Sequence, residues 1–423
     1  MVHKFYFTNN LGGGGTNVSR LVDYKQLLDL PNIGLLLNYY YLTGQSVPKF
    51  DAYVIDKIRR YASIGDFLNG ARKMFAARRR TSAYFVKSAG DSKMSGYMLD
   101  NGCGNILRDL LRSGRYNADS IKKIIKPFLD FSESMQFDYS IALDLAMKYT
   151  YKSKETIDEK LTDLWTQLSQ NEAENLALIE ATLDVMRENS YSRGIYAPLH
   201  GFNYESFCDY VNMVKKLEDE KGVSFTGLAL GGIADARKLE NELWGVPKNI
   251  RQDLKTGYIV SKLCEAVKKI DNRPLHVLGA GNIFVLPFIV HAGASSSDCH
   301  SAWRRSSDGG YEKAKVLIPL LNSDLDFINS ENCLQYVRIC DLDERYHFES
   351  EIPITDLKKL FLSHNKEDFY FAEIFTFVLA IRQYDLLIRY MENNPNDYLE
   401  KLCHTPDRDF NVKYLTLISA LNL

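Results

Sequence analysis

Cysteine is scarce in this chain and shows no pairing pattern. Seven cysteines in 423 residues, an odd number without framework spacing, argue against a disulfide scaffold. Proline is limited to 11 residues, and no internal repeat or low-complexity tract interrupts the sequence. No apolar run approaches the roughly 20 residues that a membrane span requires. The start, Met1-Val2-His3-Lys4-Phe5, lacks the apolar core of a signal peptide. The expectation is a cytoplasmic protein with no membrane partner. Net charge is small as well, −2 at pH 7, which by itself gives no hint of nucleic acid.

What is present is the composition of a soluble globular protein, 45% apolar and 25% charged. The length allows a barrel of roughly 250 residues with additions. Charge is unevenly spread: residues 1–115 hold 17 Lys and Arg against 8 Asp, so the remainder is acidic. That asymmetry fits a polyanion track in the N-terminal third, and equally a solvated basic helix face. Between Asp51 and Arg80 the pattern is helical, with Ile55, Ile58, Tyr61, Phe67, Met74 and Phe75 as its apolar positions. Its cations, among them Arg78, Arg79 and Arg80, alternate with Tyr and Phe in a way that suits a phosphate backbone and exposed bases. The glycine run 12–15 fits neither the Walker nor the dinucleotide spacing and reads as a flexible loop.

Short strand-like runs alternate with helical stretches along most of the chain. The runs are Leu35–Tyr41, Ala83–Lys87, Tyr97–Asp100, Tyr139–Asp144, Gly194–Leu199, Thr226–Leu230, Leu275–Leu278 and Ala294–Ser297. The longest helical pattern extends from Lys154 to Glu188, and an apolar helix is expected over Ile283–His291. The fold class is therefore α/β, a (β/α)8 TIM barrel over residues 1–311 with an inserted basic helical segment at 51–93; an open doubly wound sheet is the alternative. Residues 312–423 form a small C-terminal subdomain, with a strand at Lys315–Leu321 and a closing helix between Asp368 and Asn393.

In such barrels the chemistry collects at the C-terminal ends of the strands. Those ends hold Asp100-Asn101-Gly102-Cys103-Gly104, Asp144, His200-Gly201, Gly231-Gly232, Gly279-Ala280-Gly281 and Asp298. A single Asp at such a place caps a helix or closes a turn. Three on one rim can divide labour. Asp298 as nucleophile and Asp100 as general base would give a double displacement at an anomeric carbon without a cofactor. Gly231 and Gly232 would bring backbone N–H groups to a flat ligand, Asp144 would accept from an amidine-like base edge, and Arg304 and Arg305 lie where a neighbouring phosphate would sit.

These residues resemble the tRNA-guanine transglycosylases, barrel enzymes that exchange guanine in a polynucleotide for a 7-deazaguanine through an aspartyl intermediate. Asp100-Asn101-Gly102-Cys103 is similar to the family's Asp-Ser-Gly-Gly block, Gly231-Gly232-Ile233-Ala234 to its Gly-Gly-Leu-Ala turn, and Leu278-Gly279-Ala280-Gly281 to its Met-Gly-Val-Gly turn. Nineteen residues beyond Gly279, the family's nucleophile falls on Asp298, and its phosphate-contacting arginine falls on Arg304. The resemblance implies Asp144 as base reader, Asn38 as support for Asp100, and a histidine-asparagine pair at His364-Asn365. His200 stands where the family has glutamine, and Gly104 where it has a base-stacking aromatic.

The family's zinc pattern, Cys-x-Cys-x2-Cys with a distal His, is present only in part, as Cys333, Cys340 and His364. A four-ligand site would need His347 or an Asp to complete it, and the alternative is unligated Cys and His in a subdomain core. The extra basic length between Asn38 and Asp100, with the eroded zinc pattern, favours the divergent branch that inserts 7-deazaguanines, such as 7-cyano-7-deazaguanine, into DNA. DNA is then the expected partner, along with the deazaguanine base and a protein that opens the duplex. The alternatives are the tRNA enzyme, with the same mechanism, and a non-catalytic nucleic-acid-binding paralogue.

Overall fold

The computed structural model describes residues 3–9, 30–39, 60–66, 95–102, 118–145, 157–201, 203–233, 241–299, 315–317, 336–338, 354–363, 381–403 and 408–423. Eight parallel strands close a barrel in chain order: β1 (Lys4–Asn9), β2 (Ile33–Asn38), β3 (Tyr97–Asp100), β4 (Tyr139–Ile141), β5 (Gly194–Leu199), β6 (Gly227–Leu230), β7 (Leu275–Val277) and β8 (Ser296–Cys299). Helices α1 (Ala118–Ser134), α2 (Ile157–Glu188), α3 (Tyr204–Lys221), α4 (Lys255–Ile270) and α5 (Leu286–His291) fall between successive strands from β3 to β8. This is the (β/α)8 TIM barrel.

Two buried layers explain why the strands read as nearly continuous apolar runs. Phe5, Phe7, Leu35, Leu37, Leu99, Leu228, Leu230 and Val277 face outward and share one core with the helices. Tyr6, Leu36, Met98, Ile141, Tyr196 and Ala229 form a second cluster inside the barrel. Three tyrosines reach into that interior over glycines of the next strand, with Tyr6 opposite Gly34, Tyr139 opposite Gly194 and Tyr196 opposite Gly227. A Cβ on Gly34 would lie 2.5 Å from the Tyr6 ring, and one on Gly194 2.5 Å from that of Tyr139. Tyrosine bulk thus plugs the barrel below the rim, and each fully buried ring is worth about 1.5–3 kcal/mol.

The eighth strand is not the one expected. Lys4–Asn9 pairs with both β2 and β8 and closes the barrel, taking the place expected for Ala83–Lys87, which lies outside the described residues. β4 ends at Ile141 instead of Asp144, because Asn175 of α2 holds the next segment. Its Oδ1 accepts from Leu145 N–H at 2.7 Å and its amide donates to Leu145 O at 3.2 Å. β8 runs two residues later than expected, which puts Asp298 inside the strand. α5 begins at Leu286, after a turn in which Asn282 Oδ1 accepts from the N–H groups of Phe284 and Val285.

Beyond residue 312, β9 (Lys315–Leu317) and β10 (Tyr336–Arg338) pair antiparallel, and α6 spans Ile354–Leu362. Helix α7 (381–393), α8 (Tyr398–Cys403) and α9 (Arg408–Leu421) follow. Tyr384 of α7 stacks on Phe5 of β1 at 3.8 Å, and the fully buried Asp385 accepts from Asn32 N–H. Tyr398 donates to Pro287 O, and Tyr414 packs on Phe284 and Phe288. These contacts hold the C-terminal helices against β1, the start of β2 and α5. No described helix is long and apolar enough to cross a membrane.

Candidate active site

Asp298 is the third residue of β8 and faces the barrel interior opposite Tyr6. It is 4% exposed. Its Oδ1 accepts twice, from Gly279 N–H at 2.8 Å and from His276 Nε2 at 3.2 Å. A carboxylate oxygen accepts, so Nε2 is the donor of that pair, and Nδ1 on the other side of the ring is hydrogen-bonded with Ser296 Oγ at 2.8 Å. Both donors converge on one oxygen, and Oδ2 has no hydrogen-bond partner among the described residues.

The turn that supplies Gly279 N–H is shaped by its glycines. Gly279 has φ +68°, a backbone conformation that a side chain disfavours. Gly281 N–H donates to Asp298 O at 3.0 Å, and a Cβ there would meet Ser297 Oγ at 2.6 Å. Ser297 is fixed in turn by His3. His3 Nδ1 must donate to the carbonyl of Ala294 at 2.9 Å, so its Nε2 accepts from Ser297 Oγ at 3.0 Å. Burial lowers the His3 pKa to about 4, which keeps that arrangement neutral.

Asp100 closes β3, directly opposite Asn38 on β2. Asn38 Nδ2 donates to its Oδ2 at 2.6 Å, and Gly102 N–H donates as well. Burial pushes the carboxyl up to about 7, helped by the nearby Asp144 and Asp298 carboxylates and opposed by the two donors. The three acids therefore share one electrostatic neighbourhood, in which burial and the two neighbouring carboxylates favour the protonated form of Asp100.

Asp144 lies beyond the end of β4. Asn101 bridges to it, donating to Asp144 Oδ1 at 2.8 Å and to Ala142 O at 2.7 Å. His200 Nε2 stands 2.9 Å from Asp144 Oδ2 without the alignment of a hydrogen bond. Tyr210 packs edge-on against the His200 ring. Burial raises its phenol well above the ordinary range, with the Asp144 and Glu172 carboxylates adding to the effect, so it is a neutral hydroxyl. Gly231 is buried beside His200, and a Cβ there would meet only ordinary contacts, the nearest His200 Cε1 at 3.5 Å. The protein itself does not demand glycine there. Gly232, at φ +73°, does require it.

Asp298, Asp100, Asp144, Asn38, His200, Gly231, Gly232 and Gly279 are thus all placed at the C-terminal mouth of the barrel. Arg304, Arg305, Arg78, Arg79 and Arg80 lie outside the described residues, as do Cys333, Cys340 and His364. Among the described residues no group of three or more His, Cys, Asp or Glu is arranged to hold a metal ion. Sequence reasoning missed His276, Ser296, His3, Asn101 and Asn175. A polar His276 inside the apolar run Leu275–Leu278 was the one available signal, since a histidine on an inward strand position needs a partner.

A carboxylate oxygen pinned by two donors, with its twin free, can attack carbon. A neighbouring carboxyl that titrates near 7 can both give and take a proton. No family model matches the chain, and no curated protein matches it either.

Proposed function

We propose that the chain is a base-exchange transglycosylase that replaces guanine in DNA with a 7-deazaguanine. The observation that carries this reading is the pairing of a half-pinned Asp298 with an Asp100 whose pKa is about 7. In the first half-reaction Asp298 Oδ2 attacks C1′, the glycosidic C–N bond breaks, and protonated Asp100 gives its proton to the departing guanine. In the second, the Asp100 carboxylate takes the proton from the ring nitrogen of the incoming deazaguanine, which attacks C1′ and displaces the aspartyl ester. Atoms and charge balance, and the proton returns to Asp100. A pKa near the working pH lets one group serve as acid and then as base.

The base lies against Gly231 and Gly232, with Asp144 and His200 at its hydrogen-bonding edge. Arg304, Arg305 and Arg78–Arg80 are the proposed phosphate contacts. A guanine within a duplex must be flipped out or met in a single strand, at a cost of a few kcal/mol. Purified protein is incubated with labelled guanine or 7-deazaguanine and either DNA or tRNA, and the exchanged label and the denaturant-stable protein–nucleic acid adduct are measured. Incorporation into DNA that vanishes in Asp298→Ala is the expected result. Exchange into tRNA alone would reassign the polymer and keep the chemistry. Tight binding of nucleic acid with no adduct would leave a binding protein in place of an enzyme.

A further inference from the structure

Most buried side-chain polar atoms in a folded protein find a partner, so each exception calls for a cause. Among the described residues, the side chains with a buried polar atom outside a hydrogen bond sit mainly on helices, and His200 at the mouth lies against Asp144. Thr8 is different. It lies on β1, where Phe5 and Phe7 belong to the outer core and Tyr6 to the interior cluster, so alternation puts Thr8 inside. Its Oγ1 is buried and has no hydrogen-bond partner.

The register gives its neighbours. Tyr6 is paired with Asp298 on β8, and Thr8 is the next inward position from Tyr6 toward the mouth. On the other side Thr8 is paired with Leu36 of β2, whose next inward residue is Asn38, the support of Asp100. β1 therefore stands between the strand of the nucleophile and the strands of the acid/base pair, and Thr8 is its last inward side chain. It is 9% exposed, one inward position nearer the mouth than Tyr6, the partner of Asp298. Valine has the same shape without the unpaired hydroxyl, and no described residue uses that hydroxyl.

We propose that Thr8 contacts the substrate, its hydroxyl bonding an oxygen of the sugar–phosphate unit whose C1′ Asp298 attacks. This rests on the transglycosylase reading. The sugar ring oxygen is not the target, because its electron pair is needed as C1′ becomes cationic, and a donor there would oppose the reaction. The remaining oxygens are those of the flanking phosphates, present in DNA and RNA alike, and the 2′-hydroxyl, present in RNA alone.

The test uses Thr8→Val and Thr8→Ser in the full chain, with thermal melting, kcat/KM on DNA and RNA of one sequence, and the denaturant-stable adduct as readouts. Thr8→Val is expected to melt higher than wild type, since it removes an unpaired buried hydroxyl. It is also expected to lose kcat/KM, roughly 2- to 13-fold for a neutral hydrogen bond to a 2′-hydroxyl and roughly 10- to 150-fold for one to a charged phosphate oxygen, with Thr8→Ser close to wild type. A loss on both polymers identifies a phosphate oxygen, and a loss on RNA alone identifies the 2′-hydroxyl. Full kcat/KM in Thr8→Val overturns the proposal while wild-type adduct formation keeps the transglycosylase reading. A lower melting point in Thr8→Val also overturns it, by showing that the protein itself uses the hydroxyl. If wild type forms no adduct with either polymer, both readings fall.

Discussion

Replacing Asp100 with asparagine should make the protein more stable and inactive at once. The carboxyl is moved from its ordinary 3.8 to about 7, and ionising it in the folded protein is harder by about 4 kcal/mol. Asp100 is only partly buried at the end of β3, so solvent screens its neighbours and about 2 kcal/mol is the working expectation. Between pH 4 and pH 7 the unfolded chain has this group ionised while the folded chain keeps its proton. Stability therefore falls as pH rises through that window, and the loss is complete above pH 7. Asparagine has no charge to lose. Asp100→Asn should match wild type near pH 4 and exceed it at pH 8, a gain of a few degrees in melting temperature for a chain of this size. Paired melting curves at pH 4.5, 6 and 8 measure it. The kinetic counterpart is that adduct formation by wild type, which needs protonated Asp100, declines above pH 7, whereas the variant forms little adduct at any pH. A variant that gains equally at every pH, or that loses stability at pH 8, would refute the shared-charge account of the three acids.

Two further outcomes follow from the seat of Asp298. His276→Phe removes one of the two donors to Oδ1 and should lower kcat roughly 10- to 100-fold with little change in KM, as for a lost charge-assisted bond. His276→Gln, which can present an N–H, should recover part of it, and equal rates in all three proteins in single-turnover adduct formation would deny the histidine this role. Gly281→Ala would put a methyl 2.6 Å from Ser297 Oγ and 3.1 Å from Asp298 O. Because His3 holds Ser297, β8 has to shift, at about 1–3 kcal/mol of stability and roughly 100-fold in rate; unchanged melting and activity would show the turn to be slack.

The barrel was legible because strands buried on both faces leave continuous apolar runs, and Ile33–Leu37 and Gly227–Leu230 are such runs. Its acids were legible because each lies at or near the C-terminal end of a strand. β1 was not, since Lys4–Asn9 carries lysine and asparagine at its ends and has no turn signal before it. Only pairing on both sides makes it a strand. The register of β8 escaped for a similar reason. Ala294 to Cys299 is a run of small residues with no alternation to fix which ones face inward, and pairing with Tyr6 and His276 decides it. Asn175 could not be found, because an asparagine within a helix looks like a solvated position until the Leu145 backbone is seen against it. The arginines proposed for phosphate and the cysteines proposed for zinc lie outside the described residues.

The way the three acids are held bears on which of them does what. Asp298 is bound by a backbone N–H and a histidine, Asp144 by Asn101 with His200 beside it, and Asp100 by Asn38 and Gly102. Among the described residues no lysine or arginine figures in the groups that act on Asp100. Hydrogen bonds of this kind orient a carboxylate but cancel less of its charge than a salt bridge does, so the acids still repel one another. The repulsion is relieved by retaining one proton. Asp100, with both other carboxylates close enough to act on it, is where that proton stays. A cation placed in the mouth would draw Asp100 back toward the ordinary carboxylate range and take away the acid that a departing base needs. Holding the described acids by hydrogen bonds in place of salt bridges is thus part of the proposed chemistry.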